Sequence, residues 1–132
     1  MPPLWLAGPA RYGPFVAYDE ALAARLRDEI EGTDDVTEQR MFGGLAFLVR
    51  GHMAIAASND GGILVRVDPE GSARLVASTT ATPMVMQGRE MAGWLRVPSG
   101  DLRTRRQLMR WLRIGVDYAS SLPPKPPARR RR

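Results

Sequence analysis

Basic side chains are concentrated in the last thirty residues of this 132-residue chain, and their spacing gives the clearest indication of chemistry in the sequence. Four arginines follow one another at intervals of three, four and three residues, which places them on one face of an α-helix. Arginine and lysine side chains neutralise phosphate groups and release counterions from nucleic acids. The basic residues are Arg103, Arg106, Arg110 and Arg113 in this stripe, followed by Lys125, Arg129, Arg130, Arg131 and Arg132.

Two interpretations of this basic segment stay open. The first is nucleic-acid binding. Aromatic residues on which bases could stack are sparse around the segment, so such a complex would show little sequence specificity. The alternative is a solvated helix face followed by a disordered, solubilising tail. Such a tail could equally contact an acidic protein.

The net charge of +5 is unevenly divided along the chain. Residues 1–102 carry nine arginines and thirteen acidic residues, a net charge of −4. Residues 103–132 carry ten basic residues and one acidic residue, a net charge of +9. The body of the protein is therefore mildly acidic and its last part strongly basic.

No constellation in the sequence predicts catalysis, a metal site or a cofactor site. The chain has no cysteine, and its only histidine, His52, has a single aspartate near it in sequence, too few partners for a general base or a metal ligand. The glycine pairs Gly43-Gly44 and Gly61-Gly62 lack the Gly-Lys-Ser/Thr of a phosphate loop, and no base lies beside any serine. We therefore expect no enzymatic activity, no catalytic residues, no metal and no cofactor.

Methionine and tryptophan side chains are the remaining candidates for a partner surface. Met84, Met86 and Met91 surround a predicted hairpin, where methionine can line an adaptable surface or fill a core. Trp94 and Trp111 are expected either to anchor the core or its edge, or to mark a partner surface, in which aromatic residues are enriched.

These residues must be positioned by helices and strands that alternate along the chain. Asp19 can cap a first helix, because its carboxylate accepts free backbone N–H groups. Gly43 and Gly44 permit a bulge or a tight bend between the first two strands. After the first helix the sequence predicts strands over 36–42, 45–49, 53–57 and 63–67, a helix that Asp68 and Pro69 open, strands over 83–86 and 93–97, and a last helix over 102–121 capped by Asp101. The order α–β-meander–α–ββ–α is typical of an α+β fold with helices packed on an antiparallel sheet.

A single domain accounts for the length of the chain. We expect it to span residues 17–122, preceded by a disordered extension over residues 1–16 and followed by a disordered proline and arginine tail over 123–132. The first residues lack the basic start and continuous apolar run of a secretory signal, and no apolar run approaches the ~20 residues of a membrane-spanning helix. We therefore expect a cytoplasmic protein without a membrane partner.

A motif of five residues stands at the front of the second predicted strand: Arg40, Met41, Phe42, Gly43 and Gly44. Weaker matches follow it at Gly51, Ile63 to Asp68, Trp94 to Pro98, Leu102 and Trp111. On these residues the chain resembles the N-terminal domain of the TfoX/Sxy family over about residues 17–124.

This resemblance implies a two-layer α+β fold, no known catalytic activity and a structural role for the five motif residues. It also implies a link to the control of natural competence genes, in which full-length members work alongside the cyclic-AMP receptor protein. Those members carry a second, C-terminal helical domain, whereas in this sequence a proline and arginine tail stands in that place.

The resemblance bears on the start of the chain as well. Stand-alone relatives of this size look as if they begin with Met directly before an Ala-Tyr-Asp-Glu stretch, and here Val16 stands at that position. We therefore expect Val16 to be the true start, from an alternative initiation codon, with residues 1–15 not made in the cell. Mass spectrometry of the native N-terminus tests this, and a tryptic peptide containing Leu4 and Trp5 would contradict it.

The function that we expect from these observations is that of a non-enzymatic accessory or regulatory domain. It would act through an unknown protein partner, in transcription control. The alternative is a weak, sequence-nonspecific nucleic-acid binder that uses the basic last helix and the arginine tail. The sequence leaves the oligomeric state open.

Overall fold

The computed structural model describes residues 18–41 and 43–125. The predicted extension over residues 1–16 and the tail from residue 126 lie outside this part of the chain. In order, the described elements are α1 (Glu20–Ile30), β1 (Val36–Met41), β2 (Gly44–Val49), β3 (His52–Ala57), β4 (Ile63–Arg66), α2 (Pro69–Ser78), β5 (Thr82–Met86), β6 (Arg89–Val97), a short 3-10 helix (Ser99–Asp101) and α3 (Arg105–Ser121). The α+β class and the predicted order of helices and strands are confirmed.

Aspartate side chains fix the starts of the first two helices, as the sequence predicts. The Asp19 carboxylate accepts hydrogen bonds from the backbone N–H of Ala21 at 2.9 Å and of Leu22 at 3.2 Å. The Asp68 carboxylate accepts one from the backbone N–H of Glu70 at 2.9 Å. Each cap satisfies N–H groups that have no partner inside the helix.

The last helix begins three residues after Leu102, where the sequence analysis placed its start. Its cap is Thr104, whose hydroxyl accepts from the backbone N–H of Gln107 at 3.1 Å while the Gln107 side chain accepts from the backbone N–H of Thr104 at 2.9 Å. This reciprocal pair is a capping box. The prediction that Asp101 caps the helix is wrong, because its carboxylate accepts the hydroxyl proton of Thr80 instead.

The six strands form one antiparallel sheet in the order β1-β2-β3-β4-β6-β5. The first four strands are a meander, and α2 carries the chain past the position of β6 to the far edge, where the β5–β6 hairpin returns it to β4. Gln87 and Gly88, with φ angles of +52° and +78°, form the turn of this hairpin. Strand β6 therefore starts at Arg89, four residues earlier than the predicted start at Gly93.

One face of the sheet, called the helical face below, is covered by all three helices. Its side chains form the main core together with the inner stripes of α1 and α3, and with Leu75 and Val76 of α2, which are partly buried. Trp111 belongs to this core and is only 3% exposed. The larger members are Leu22, Leu26, Ile30, Leu45, Phe47, Ile55, Ile63, Val65, Val67, Leu95, Val97, Leu102, Leu108 and Leu112.

Helix α3 lies very close to strand β3 because Gly115 has no side chain. A Cβ atom at this position would lie 2.4 Å from the carbonyl oxygen of Ala54, well inside van der Waals contact. A register shift between Phe47 and Leu48 on the neighbouring strand turns both Ala54 and Ile55 toward the helices. The glycine and the bulge together set the distance between the two layers.

The opposite face of the sheet, called the open face below, carries a second apolar cluster. No residue of the three described helices belongs to it. Its residues are Met41, Ala46, Leu48, Met53, Ala56, Leu64, Met84, Met91 and Trp94. Methionine and alanine therefore predominate on the open face, where the helical face has branched and aromatic side chains. None of the helices within the described residues is long and apolar enough to cross a membrane.

Candidate functional site

The family motif lies where β1 gives way to β2. Met41 pairs with Gly44 across the hairpin and joins the open-face cluster, whereas Arg40 is exposed. Gly43 lies in the turn with a φ angle of +74°. Phe42, the remaining residue of the motif, lies outside the described residues.

Both glycines of the motif have a steric reason to be glycine. Gly43 has a left-handed backbone that residues with side chains rarely adopt, and a Cβ there would lie 2.7 Å from the side-chain nitrogen of Asn59. A Cβ on Gly44 would lie 2.0 Å from the carbonyl oxygen of Ala57 on the neighbouring strand. These contacts build backbone shape and place no reactive group.

The predicted basic stripe occupies the outer face of α3. Arg106, Arg110 and Arg113 are exposed, and none of the described carboxylates lies within ion-pair distance of them. They line a shallow depression of about 880 Å³. The half-buried side chains of Met109 and Ile114 line the same depression. Three guanidinium groups without a described ion-pair partner on one helix face can contact phosphates or an acidic surface.

Two neighbouring arginines differ from this stripe. Arg103 lies before the first residue of α3 and is not part of the helical stripe in which the sequence analysis placed it. Arg105, which the sequence analysis did not select, donates two hydrogen bonds to Glu29, from Nε at 2.7 Å and from Nη2 at 3.1 Å. These bonds hold the pKa of Glu29 below its ordinary value. Arg105 therefore joins α3 to α1.

Lys125 lies apart from the stripe, at the edge of the open face. Beyond α3 the chain passes the turn between β2 and β3, where the backbone N–H of Lys125 donates to the carbonyl of Arg50 at 2.9 Å. At the same turn the His52 ring nitrogen Nε2 lies 2.7 Å from the carbonyl oxygen of Pro123. The structure therefore separates the predicted basic residues into two regions, and Arg129, Arg130, Arg131 and Arg132 lie outside the described residues.

Arg66 is a further basic residue that the sequence analysis did not select. Its guanidinium carbon lies 5.1 Å from the centroid of the Trp94 ring and 5.6 Å from that of Tyr118. Trp94 is directly opposite Arg66 in the register of β4 and β6, so the two side chains share the open face. The signal in the sequence was a lone arginine at the end of the apolar strand Ile63–Arg66.

With Lys125, Arg66 lines a groove of about 600 Å³ on the open face. The groove lies on the opposite face of the sheet from the exposed arginines of α3, and Tyr118, near the C-terminal end of that helix, reaches Arg66. The described part of the chain therefore has two cationic regions, a convex one on the helix and a concave one on the sheet.

Ser58 is the buried polar residue of the described chain, and its partners are structural. Arg96 donates to the Ser58 hydroxyl at 3.3 Å and to the Asp60 carboxylate at 3.2 Å. Burial of Asp60 opposes its ionisation, but the Ser58 hydroxyl, the Gly62 N–H and the charge of Arg96 together hold the pKa of Asp60 below its ordinary value. The described residues contain no group of three His, Cys, Asp or Glu side chains placed to hold a metal ion.

The fold and these sites define a small two-layer α+β domain whose most distinctive motif shapes a hairpin. The family model described as the TfoX N-terminal domain matches residues 28–119, which is most of the chain. The chain therefore belongs to the TfoX N-terminal domain family, as its motif residues indicated. No curated protein matches the chain.

Proposed function

We propose that this domain is a non-enzymatic, cytoplasmic regulatory module that acts by binding a protein partner, in transcription control. Its family membership supports a role of this kind. The observation that carries the proposal is the β5–β6 hairpin at the edge of the sheet. Val85 is 54% exposed and Met86 42% exposed, and they are the large apolar residues of the described chain that are most exposed to solvent.

The hairpin combines features of a contact surface. Strand β5 is at the edge of the sheet, so part of its backbone can pair with another chain. Methionine adapts its shape to a partner, and Met91 lies half-buried beside Met86. The other edge strand, β1, exposes Thr37, Glu38, Gln39 and Arg40, which are residues typical of an edge protected from pairing.

Site-specific photocrosslinking in cells tests this proposal. The photoreactive residue p-benzoylphenylalanine replaces Val85 in one variant and Ala77, an exposed residue of α2, in a matched control. We expect one reproducible adduct with a protein of the transcription apparatus from position 85 and none from position 77. Identical adducts from both positions would contradict the proposal.

A double variant gives the quantitative arm of this test. Val85→Ser with Met86→Ser should weaken binding to the crosslinked partner by about tenfold or more, because it removes two apolar contacts. The free energy of unfolding of the variant should stay within about 0.5 kcal/mol of the parent protein, since both side chains are exposed. Unchanged binding in a folded variant would place the contact elsewhere.

Nucleic-acid binding is the second candidate function, favoured by Arg106, Arg110 and Arg113 on α3, which have no ion-pair partner among the described residues. Fluorescence anisotropy with labelled duplex DNA and single-stranded RNA, across a salt series, measures it. We expect affinity to fall with salt. Changing the three arginines to Gln should reduce the salt slope by about one unit for each phosphate that the protein no longer neutralises.

The matched control for this measurement changes the same net charge elsewhere. Arg40, Arg74 and Arg89 are exposed on other elements, so their triple change to Gln should leave most of the affinity. A chain ending at Leu122 separates the stripe from the tail. Equal losses in both triple variants, or no binding at ~50 mM salt where phosphate contacts are strong, would remove this candidate.

A further inference from the structure

We propose that the groove on the open face is a binding site for a small organic anion with an apolar body. Its volume of about 600 Å³ is in the range usual for small-molecule sites. The groove uses different residues from the exposed hairpin and from the basic stripe, so the proposal stands independently of the two functions above.

Arg66 is the first observation that points to an anion. The rings of Trp94 and Tyr118 lie against its guanidinium group, so this cation is held in place and half-buried. None of the described carboxylates lies within ion-pair distance of it. A guanidinium that is partly removed from water and lacks a described counter-charge favours an anionic ligand, which its planar fork can bind through two hydrogen bonds.

Lys125 brings a second positive charge to the same groove from a distant part of the chain. The hydrogen bond from its backbone to the carbonyl of Arg50 fixes the chain at the rim, and its side-chain Cβ lies beside Gly51. No aspartate or glutamate is among the described residues that line the groove. Charges of one sign in a concave site raise the local concentration of ions of the opposite sign.

Part of the groove is apolar and adaptable. Met41, Leu48 and Met53 line it, and Leu48 and Met53 are buried members of the open-face cluster. Methionine side chains repack around ligands of different shape. The chemistry of the groove therefore fits a ligand with a carboxylate or phosphate head near Arg66 and Lys125 and an apolar body over the methionines.

Two dyes that share one apolar body test this inference on the full chain. The probe 1-anilinonaphthalene-8-sulfonate carries an anionic group, and N-phenyl-1-naphthylamine is its uncharged counterpart. We expect the sulfonate to bind saturably at one site with increased fluorescence. The neutral dye should bind at least about tenfold more weakly, because it lacks the charged hydrogen bonds.

A matched pair of variants distinguishes the groove from other cationic surfaces. Arg66→Met keeps the apolar stem and removes the charge, and should weaken sulfonate binding by about tenfold. Arg110→Met makes the same change at a guanidinium that lies 5.6 Å from the ring of Trp111 on α3, and should leave binding unchanged. Equal losses in the two variants, or no loss in either, would overturn the proposal.

Methyl NMR signals of the methionines locate the dye directly. The methyl groups of Met41 and Met53 should shift on addition of the sulfonate, while that of Met109 beside the basic stripe should not. Lys125→Gln provides a second variant if Arg66→Met unfolds, and it should also weaken binding. Shifts confined to Met109 would overturn the proposal.

Competition by decanoate and by decyl phosphate then shows which head group the site prefers. Failure of both to displace the dye would also count against the proposal.

Discussion

The two faces of the sheet are built from the same strands but stabilised in different ways. On the helical face, side chains from three helices fill the space above the strands, and residues such as Phe47 and Leu95 are completely buried. On the open face, the apolar cluster contains no described helix residue, and long side chains such as Arg66 and Trp94 lie over it. The helical face therefore buries its side chains against the helices, and the open face buries its side chains largely against one another.

This difference indicates which face is available for binding. A core packed between two layers has little freedom, since interiors are as dense as organic crystals. A face lined by methionine and covered by long cationic and aromatic side chains can change shape without disturbing the fold. The helical face therefore carries the more rigid packing of the domain, and the open face is the one that can carry recognition.

The largest effect that tests this comparison comes from the same substitution on the two faces. Leu95→Ala on the helical face should cost about 4 kcal/mol of unfolding free energy, because the cavity is enclosed by rigid layers. Leu48→Ala on the open face, where the side chain is 8% exposed, should cost about 2 kcal/mol, because neighbouring methionines can move into the space. Urea denaturation measures both values. Equal costs would show that the open face is as rigid as the helical face.

The next effect concerns the distance between the helices and the sheet. Gly115→Ala places a Cβ 2.4 Å from a backbone oxygen of β3, so α3 must move away, at a cost of about 2 kcal/mol. Gly71→Ala on α2 is the control, since no atom lies within 4 Å of its Cβ position, and it should stabilise the protein by about 0.5 kcal/mol. Thermal unfolding measures both changes in stability, the loss in Gly115→Ala and the gain in Gly71→Ala. A neutral Gly115→Ala would mean that the two layers separate easily.

Local sequence signals predicted the elements that depend on a few neighbouring residues. Asp19 and Asp68 cap the helices that follow them, since a cap acts within three residues of itself. The start of α3 was misplaced because Asp101 and Thr104 are both good caps, and the reciprocal bonds of Thr104 and Gln107 decided between them. That Asp101 would accept from Thr80 depends on contacts between distant segments, which spacing does not reveal.

The candidate sites were predictable only in part, for the same reason. Helical spacing correctly placed Arg106, Arg110 and Arg113 on one face of α3. Alternation along β4 puts Arg66 on the face opposite Val65, but it does not say which face the helices cover. Lys125 was counted with the arginine tail because both are basic, yet a hydrogen bond to the turn after β2 brings it to the groove.

The smallest effect separates the two faces by their response to acid. On the helical face, Arg27 of α1 donates to both carboxylate oxygens of Glu38 on β1, at 2.5 and 2.8 Å, and this hydrogen bonding holds the pKa of Glu38 below its ordinary value of 4.5. The stabilisation is therefore complete above about pH 4.5 and is lost as the pH falls through the lower pKa of the folded state. It should amount to less than about 1 kcal/mol, because both side chains are partly exposed.

The variant Glu38→Gln should be less stable than the parent protein at pH 7, and the difference should shrink at an acid pH below the ordinary value of 4.5, as Glu38 of the parent becomes protonated. On the open face, Arg66 has no described carboxylate partner, so any cost of Arg66→Met should be the same at both pH values. Chemical denaturation at the two pH values measures both differences. A pH-dependent cost for Arg66→Met would reveal a carboxylate partner for this cation, and the open face would then resemble the helical face in holding its charges in internal pairs.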